Sequence, residues 1–191
     1  MTAKVSEKTG FDTLKVNEGN RKALEAARAV VGGSADGNPL VLIGQEGAGK
    51  TTLLQAIVEG IAAQKDGRRV LTLTMGKFRP HYIAAKKAWA LRRFRERMRD
   101  AEVLIVDEFE TAGLGCLIQE ELIALMTSYL YAGKQLVIAS AVPLSQIHGS
   151  SRELFDRHYP GMRQMFEGGH RMNADVVNRV LIPFIRTKGL L

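Results

Sequence analysis

Cysteine is almost absent from the 191 residues: Cys116 stands alone, which excludes an intrachain disulfide and fits a reducing compartment. Only five prolines occur, and no segment is repeated or of low complexity, which argues against a Pro-rich linker or a disordered chain. No apolar run approaches the ~18–20 residues that cross a bilayer. Met1 to Lys8 is polar, without the apolar core of a signal peptide. A cytoplasmic, soluble protein of one domain is expected. His81, His148, His158 and His170 show no metal-ligand spacing with Cys116, so no zinc site is expected. Acids are the minority charge, 20 against 27 Lys and Arg. The net +7 favours a polyanionic partner such as nucleic acid or an anionic surface.

What is present is a regular alternation. Apolar residues recur at helical spacing from Glu18 to Val31, where Gly32-Gly33 supplies a stop. Short unbroken apolar runs follow at 39–43, 70–74, 103–106 and 136–139. Such runs are the mark of strands buried on both faces. Helical patterns separate them at 50–64, 81–99 and 117–132. Strands and helices alternating at these lengths predict an α/β fold, a parallel sheet with helices on both faces. A fifth strand is expected near 164–171, and a closing helix over 174–186, kinked or ended by Pro183.

Gly44-Gln45-Glu46-Gly47-Ala48-Gly49-Lys50-Thr51 fits the phosphate-loop pattern G-x-x-x-x-G-K-[ST], after a strand and before a helix. The glycines let consecutive N–H groups converge on phosphate oxygens, and the helix start adds its positive dipole end. Lys50 is expected on the β and γ phosphates, and the Thr51 hydroxyl on magnesium; Thr52 follows in the first turn. The run at 103–106 ends in Asp107-Glu108, at the carboxyl end of a strand, where ligands sit in open parallel sheets. That pair predicts a metal-orienting Asp107 and a water-polarising Glu108, hence ATP hydrolysis.

Collinear stretches resemble the AAA+ module of bacterial replication initiators of the DnaA type, with their Hda-like and DnaC-type helicase-loader relatives. Phe11, Val16 and Asn20-Arg21 are similar to the opening segment of that family, which implies Phe11 and Asn20 beside adenine. Pro39 to Ile57 resembles its phosphate-loop region, Phe94 to Glu108 the run into its second acidic motif, and Ala132 to Ser140 its sensor strand. Phe166-Glu167-Gly168-Gly169 is similar to the stretch past its arginine finger. The likeness covers roughly 11–172 and implies a five-stranded AAA+ core. Residues 1–10 are then expected to be a flexible leader, and 173–191 the remnant helix of a truncated lid. Departures are equally specific. Ala141 stands where initiators carry a polar sensor Asp, leaving Ser140 as the nearest substitute. Met165 stands at the finger position, with Arg163 close by and Arg152, Arg157 and Arg171 as other candidates.

Between Lys77 and Arg99 nine cations face one acid, Glu96. At helical spacing Tyr82, Lys86, Trp89, Arg93 and Arg97 would share one face, with Lys87 adjacent, while Ala84, Ala88, Leu91, Phe94 and Met98 would pack on the sheet. Cations interleaved with rings suit single-stranded nucleic acid. A solvated charged face with Trp89 half buried, or a protein-binding surface, stays open. The resulting expectation is an ATP/ADP- and Mg²⁺-binding AAA+ ATPase, slow on its own. It would assemble as a homo-oligomer on DNA, preferably single-stranded, in replication initiation or its regulation. A replicative helicase, an initiator or a transposase would be the protein partner. Alternatives are a transposition helper ATPase, a non-hydrolysing nucleotide switch docked on a replication or recombination protein, and a small-molecule kinase.

Overall fold

The computed structural model describes residues 10–34, 37–113 and 116–142. After a short 3-10 helix, Gly10–Thr13, the chain runs α1 (Arg21–Val31), β1 (Leu40–Ile43), α2 (Lys50–Gln64), β2 (Val70–Thr74), α3 (Met75–Lys87), α4 (Leu91–Arg99), β3 (Val103–Asp107), a 3-10 turn (Phe109–Gly113), α5 (Cys116–Tyr131) and β4 (Gln135–Ser140). The strands are all parallel, in the order β1-β4-β3-β2. Four strands are present among the described residues rather than five. The expected fifth near 164–171 lies outside the described residues, as do the closing helix and all of the leader expected over 1–10 except Gly10, which opens the 3-10 helix.

Strand alternation explains how both faces are covered. Leu104, Val106, Leu136 and Ile138 point to the layer of α3, α4 and α5, where Phe78, Leu122, Met126 and Tyr129 are buried. Their neighbours Val103, Ile105, Val137 and Ala139 point the other way, to α1, α2 and Phe11. Every residue of β3 is buried, which is why its sequence reads as an unbroken apolar run. Each such aliphatic side chain contributes about 1.5–3 kcal/mol of transfer free energy. On the α2 side, a Cβ at Gly60 would lie 2.9 Å from Val31 Cγ2 and 3.3 Å from Phe11, so glycine there sets the approach of α1 and the first 3-10 helix.

The basic region departs from expectation. Instead of one helix over 81–99 there are two, broken at Trp89, which takes a left-handed backbone with φ 55°. The Trp89 N–H donates to Lys86 O (3.2 Å) and the Ala90 N–H to Ala85 O (2.8 Å). This is the pair of bonds that closes a helix in a Schellman turn, usually with glycine at the left-handed position. At the other end, α3 starts at Met75 and carries Pro80 inside it. Burial of Met75, Phe78 and Tyr82 along one face outweighs the proline. Tyr82 is therefore not on the cationic face. It packs 6.4 Å from the Phe78 ring and 6.2 Å from Phe94, ring centre to ring centre. Ala84 and Ala88 are exposed, whereas Phe94 and Met98 pack on the sheet as expected.

Candidate nucleotide site and cationic surface

At the carboxyl edge of the sheet, β1 runs into the glycine loop and the loop into α2. Gly47 (φ 78°) and Gly49 (φ 84°) are left-handed, and Gly49 caps α2. Only glycine takes such angles without cost, so the backbone of the loop is written directly in its sequence. The Gly44 N–H donates to Ser140 O (3.1 Å), tying the loop to β4. Lys50 Nζ donates to the carbonyls of Gly44 and, at 3.0 Å, Gln45, which holds its charge over the loop. Gln45 and Glu46 are exposed on the loop, Ala48 is exposed beside Gly44, and Thr52 is exposed on the first turn of α2.

Chain topology brings the second acidic motif to the same place. Thr51 Oγ1 donates to Asp107 Oδ2 at 2.9 Å, across 56 residues of sequence. Asp107 is buried at 6% exposure and its other oxygen accepts the Glu108 N–H at 2.9 Å. Glu108 is exposed, its φ is 55°, and its carboxylate makes no hydrogen bond among the described residues. A hydroxyl and a carboxylate in contact beside a phosphate loop suit magnesium, which keeps most ligands as water or phosphate oxygen and takes only one or two from protein. No group of three or more His, Cys, Asp or Glu among the described residues offers an all-protein cage.

Beside the loop lies a cavity of about 460 Å³, with Leu14, Asn20, Ala23, Val41, Ala48 and Lys50 among its walls. Asn20 thus faces the space next to the glycine loop. Its amide, however, already donates to Lys15 O (2.8 Å) and accepts the Asn17 N–H (2.8 Å), so it shapes the 15–20 loop. Phe11 does not line the cavity. It is buried under α2, with the Arg28 guanidinium 5.2 Å from its ring centre. Its role is to support the wall from behind, because its ring fills the space beside Gly60. Ser140 is also buried, and its hydroxyl donates to Val142 O (2.6 Å). The hydroxyl is taken up within its own turn, and Ser140 reaches the loop through its carbonyl. Arg163 and the other finger candidates lie outside the described residues.

Two residues that sequence patterns missed join this edge. The Thr111 N–H and Oγ1 both donate to Glu108 O, at 2.9 and 2.8 Å. Glu110 Oε2 accepts the Ala141 N–H at 2.9 Å. Their only sequence signal was position, directly after Asp107-Glu108.

On the opposite flank the cationic residues divide. Arg92 pairs with Glu96 (2.9 Å), and Arg95 forms two bonds to Glu121 (2.6 and 2.8 Å), which push its already high pKa further up. Lys86, Lys87, Arg93 and Arg97 are exposed and have no ion pair among the described residues. Trp89 is 96% exposed at the turn between the helices, so it is not packing. Arg93 and Arg97, with Lys77, edge a groove of about 880 Å³ between β2 and the helix pair, floored by Leu71, Phe94 and Met98.

A family profile described as the bacterial DnaA ATPase domain matches residues 5–164. The chromosomal replication initiator protein DnaA of a Picosynechococcus species is 34% identical over 162 residues, 84% of this chain and 36% of that protein. DnaA of Bifidobacterium animalis is 33% identical over 161 residues, 80% of this chain and 28% of its own length. The chain thus spans about a third of the relatives it matches. Among solved structures, domain III of the Thermotoga maritima replication initiation protein DnaA superposes with TM-score 0.68 at 30% identity, covering 72% of this chain and 57% of that one. A replication initiator DnaA bound to AMPPCP and single-stranded DNA gives 0.71 at 23%, over 96% and 64%. No helix among the described residues is long and apolar enough to cross a membrane. By its phosphate loop, its Asp107-Glu108 strand and the match over 5–164, the chain belongs to the bacterial DnaA ATPase-domain family.

Proposed function

We propose that this protein binds ATP and ADP with Mg²⁺, hydrolyses ATP slowly, and assembles under nucleotide control on single-stranded DNA in replication initiation or its regulation. The observation that carries the reading is the Thr51–Asp107 contact at 2.9 Å, beside the glycine loop at the mouth of the strands. Lys50 would leave the loop carbonyls for the β and γ phosphates. Thr51 and Asp107 would hold the magnesium, which when bound offsets phosphate charge as the leaving group departs. The loop amides and the start of α2 would orient the phosphates. Glu108, free at the crevice, would take the proton of the attacking water as its oxygen bonds to the γ phosphorus and the bond to ADP breaks. The nucleoside fits the cavity beside Asn20 and Ala23. A cytoplasmic location, a homo-oligomer and a helicase or initiator partner go with the same reading.

The DNA part rests on the exposed set Lys86, Lys87, Trp89, Arg93 and Arg97. A left-handed tryptophan costs about 1–2 kcal/mol of backbone strain where glycine would close the helix without it, and the 96% exposed indole gains no burial among the described residues in return. Displaying an indole among unpaired cations does what a single strand requires: a ring for a base, charges for phosphates. The test is single-turnover hydrolysis of labelled ATP with and without an oligonucleotide. Glu108→Gln should keep nucleotide binding and lose turnover, and DNA should speed the wild type. A variant that hydrolyses at the wild-type rate would remove Glu108 from the chemistry. Turnover by wild type that no oligonucleotide changes would detach hydrolysis from DNA.

A further inference from the structure

Glu108 sits in a conformation that a residue with a side chain rarely adopts, and the structure shows what holds it there. Its N–H is fixed by Asp107 Oδ1 at 2.9 Å, and its carbonyl accepts two bonds from Thr111, at 2.9 and 2.8 Å. Those bonds fasten Glu108 to the 3-10 turn Phe109–Gly113, but they do not locate that turn in space. Two contacts do. Phe109 is buried at 2% exposure in the layer beneath. Above it, the Glu110 carboxylate reaches the backbone N–H of Ala141, at 2.9 Å, directly after β4. Ala141 follows Ser140, whose carbonyl holds Gly44 of the phosphate loop at 3.1 Å. A chain of bonds therefore runs from the loop, through the end of β4, to Glu110 and back to Glu108.

We propose that Glu110 is a positioning residue for ATP hydrolysis: with Thr111, it sets the distance between the Glu108 carboxylate and the phosphate loop. This rests on the reading of Glu108 as the water-polarising group. Glu110 touches no substrate in this account; it acts through the turn that carries Glu108. A carboxylate accepting a backbone N–H makes a charge-assisted bond, stronger than a neutral one, and so suits a strut. Because small misplacements of a reacting group are costly, the effect falls on the chemical step rather than on binding.

The experiment compares Glu110→Ala, Glu110→Gln, Thr111→Val and Thr111→Ser with wild type. Affinity for a fluorescent ATP analogue and single-turnover hydrolysis are measured, together with hydrogen exchange at the Ala141 amide. Glu110→Ala should lose roughly ten- to a hundredfold in turnover at little change in affinity, with the Ala141 amide exchanging faster. Glu110→Gln keeps an oxygen acceptor and should recover most of the rate and the protection. Thr111→Ser should likewise outperform Thr111→Val. If Glu110→Ala turns over as wild type does, or if turnover and affinity fall together, the positioning role is overturned while the assignment of Glu108 stands. If Glu110→Gln is as slow as Glu110→Ala although its amide is protected, the strut is not what matters and the proposal also fails. A wild type that binds nucleotide but never hydrolyses it removes both this role and the hydrolysis reading, and is told apart by that result alone.

Discussion

Salt dependence separates the electrostatic part of the proposed DNA surface from its aromatic part. Of the nine cations between Lys77 and Arg99, Arg92 and Arg95 are tied to Glu96 and Glu121. Lys86, Lys87, Arg93 and Arg97, which flank Trp89 in sequence, are among those that remain exposed and without an ion pair among the described residues. If each of these four meets one phosphate of a single strand, log K falls with log salt at about −0.7 per contact, a slope of about −2.8. Replacing Arg93 and Arg97 together by Ala leaves two contacts and a slope of about −1.4. Trp89→Ala removes no charge, so the slope should hold while binding weakens by ~1–3 kcal/mol at every salt concentration. Because Trp89 is 96% exposed, its loss should leave folding stability within about 0.5 kcal/mol. Fluorescence anisotropy of a labelled oligothymidylate over a range of salt measures both quantities, and circular dichroism confirms the fold. A folded Arg93/Arg97 double variant with the wild-type slope would refute the argument, as would a Trp89→Ala protein that binds undiminished.

Two further expectations concern the core. Gly60→Ala would place a methyl 2.9 Å from the stiff side chain of Val31, so the usual helix gain of alanine should be reversed. A net loss of about 1–3 kcal/mol is expected in urea unfolding, and a more stable variant would contradict the packing. Burial pushes the Tyr129 phenol up to about 12, and the phenol donates to Met98 O at 2.7 Å. The folded state then keeps a proton that the unfolded state releases near 10. That contribution is complete below pH 10 and is lost as pH rises toward 12. Tyr129→Phe should flatten this alkaline decline while costing about 1 kcal/mol at neutral pH, where the hydrogen bond is missing. An unchanged alkaline slope would show that Tyr129 is not its source.

Much of the fold was legible because the signals were local. The run 70–74 is β2 residue for residue, and helix 50–64 is α2, whose start the glycine loop dictates through Gly49. Asp107 was legible beside Thr51 from topology alone: parallel strands put their carboxyl ends together. The single helix over 81–99 was not, because Schellman closures are normally announced by glycine and this one has Trp89. A period that continues across the break hides it further. Phe11 was placed beside adenine by resemblance, whereas the space left by Gly60 draws its ring into the core. The Glu110–Ala141 bond joins residues 31 apart through a one-turn helix, and no periodicity encodes such a contact.

The central claim, a phosphate loop that binds nucleotide through Lys50 and Thr51, is tested most directly by titrating a fluorescent ATP analogue with Mg²⁺ against wild type and Lys50→Ala. Removing a charge from the β and γ phosphates should weaken affinity tenfold or more, about 1.4 kcal/mol at the least. A folded Lys50→Ala protein that binds the analogue as tightly as wild type would contradict it.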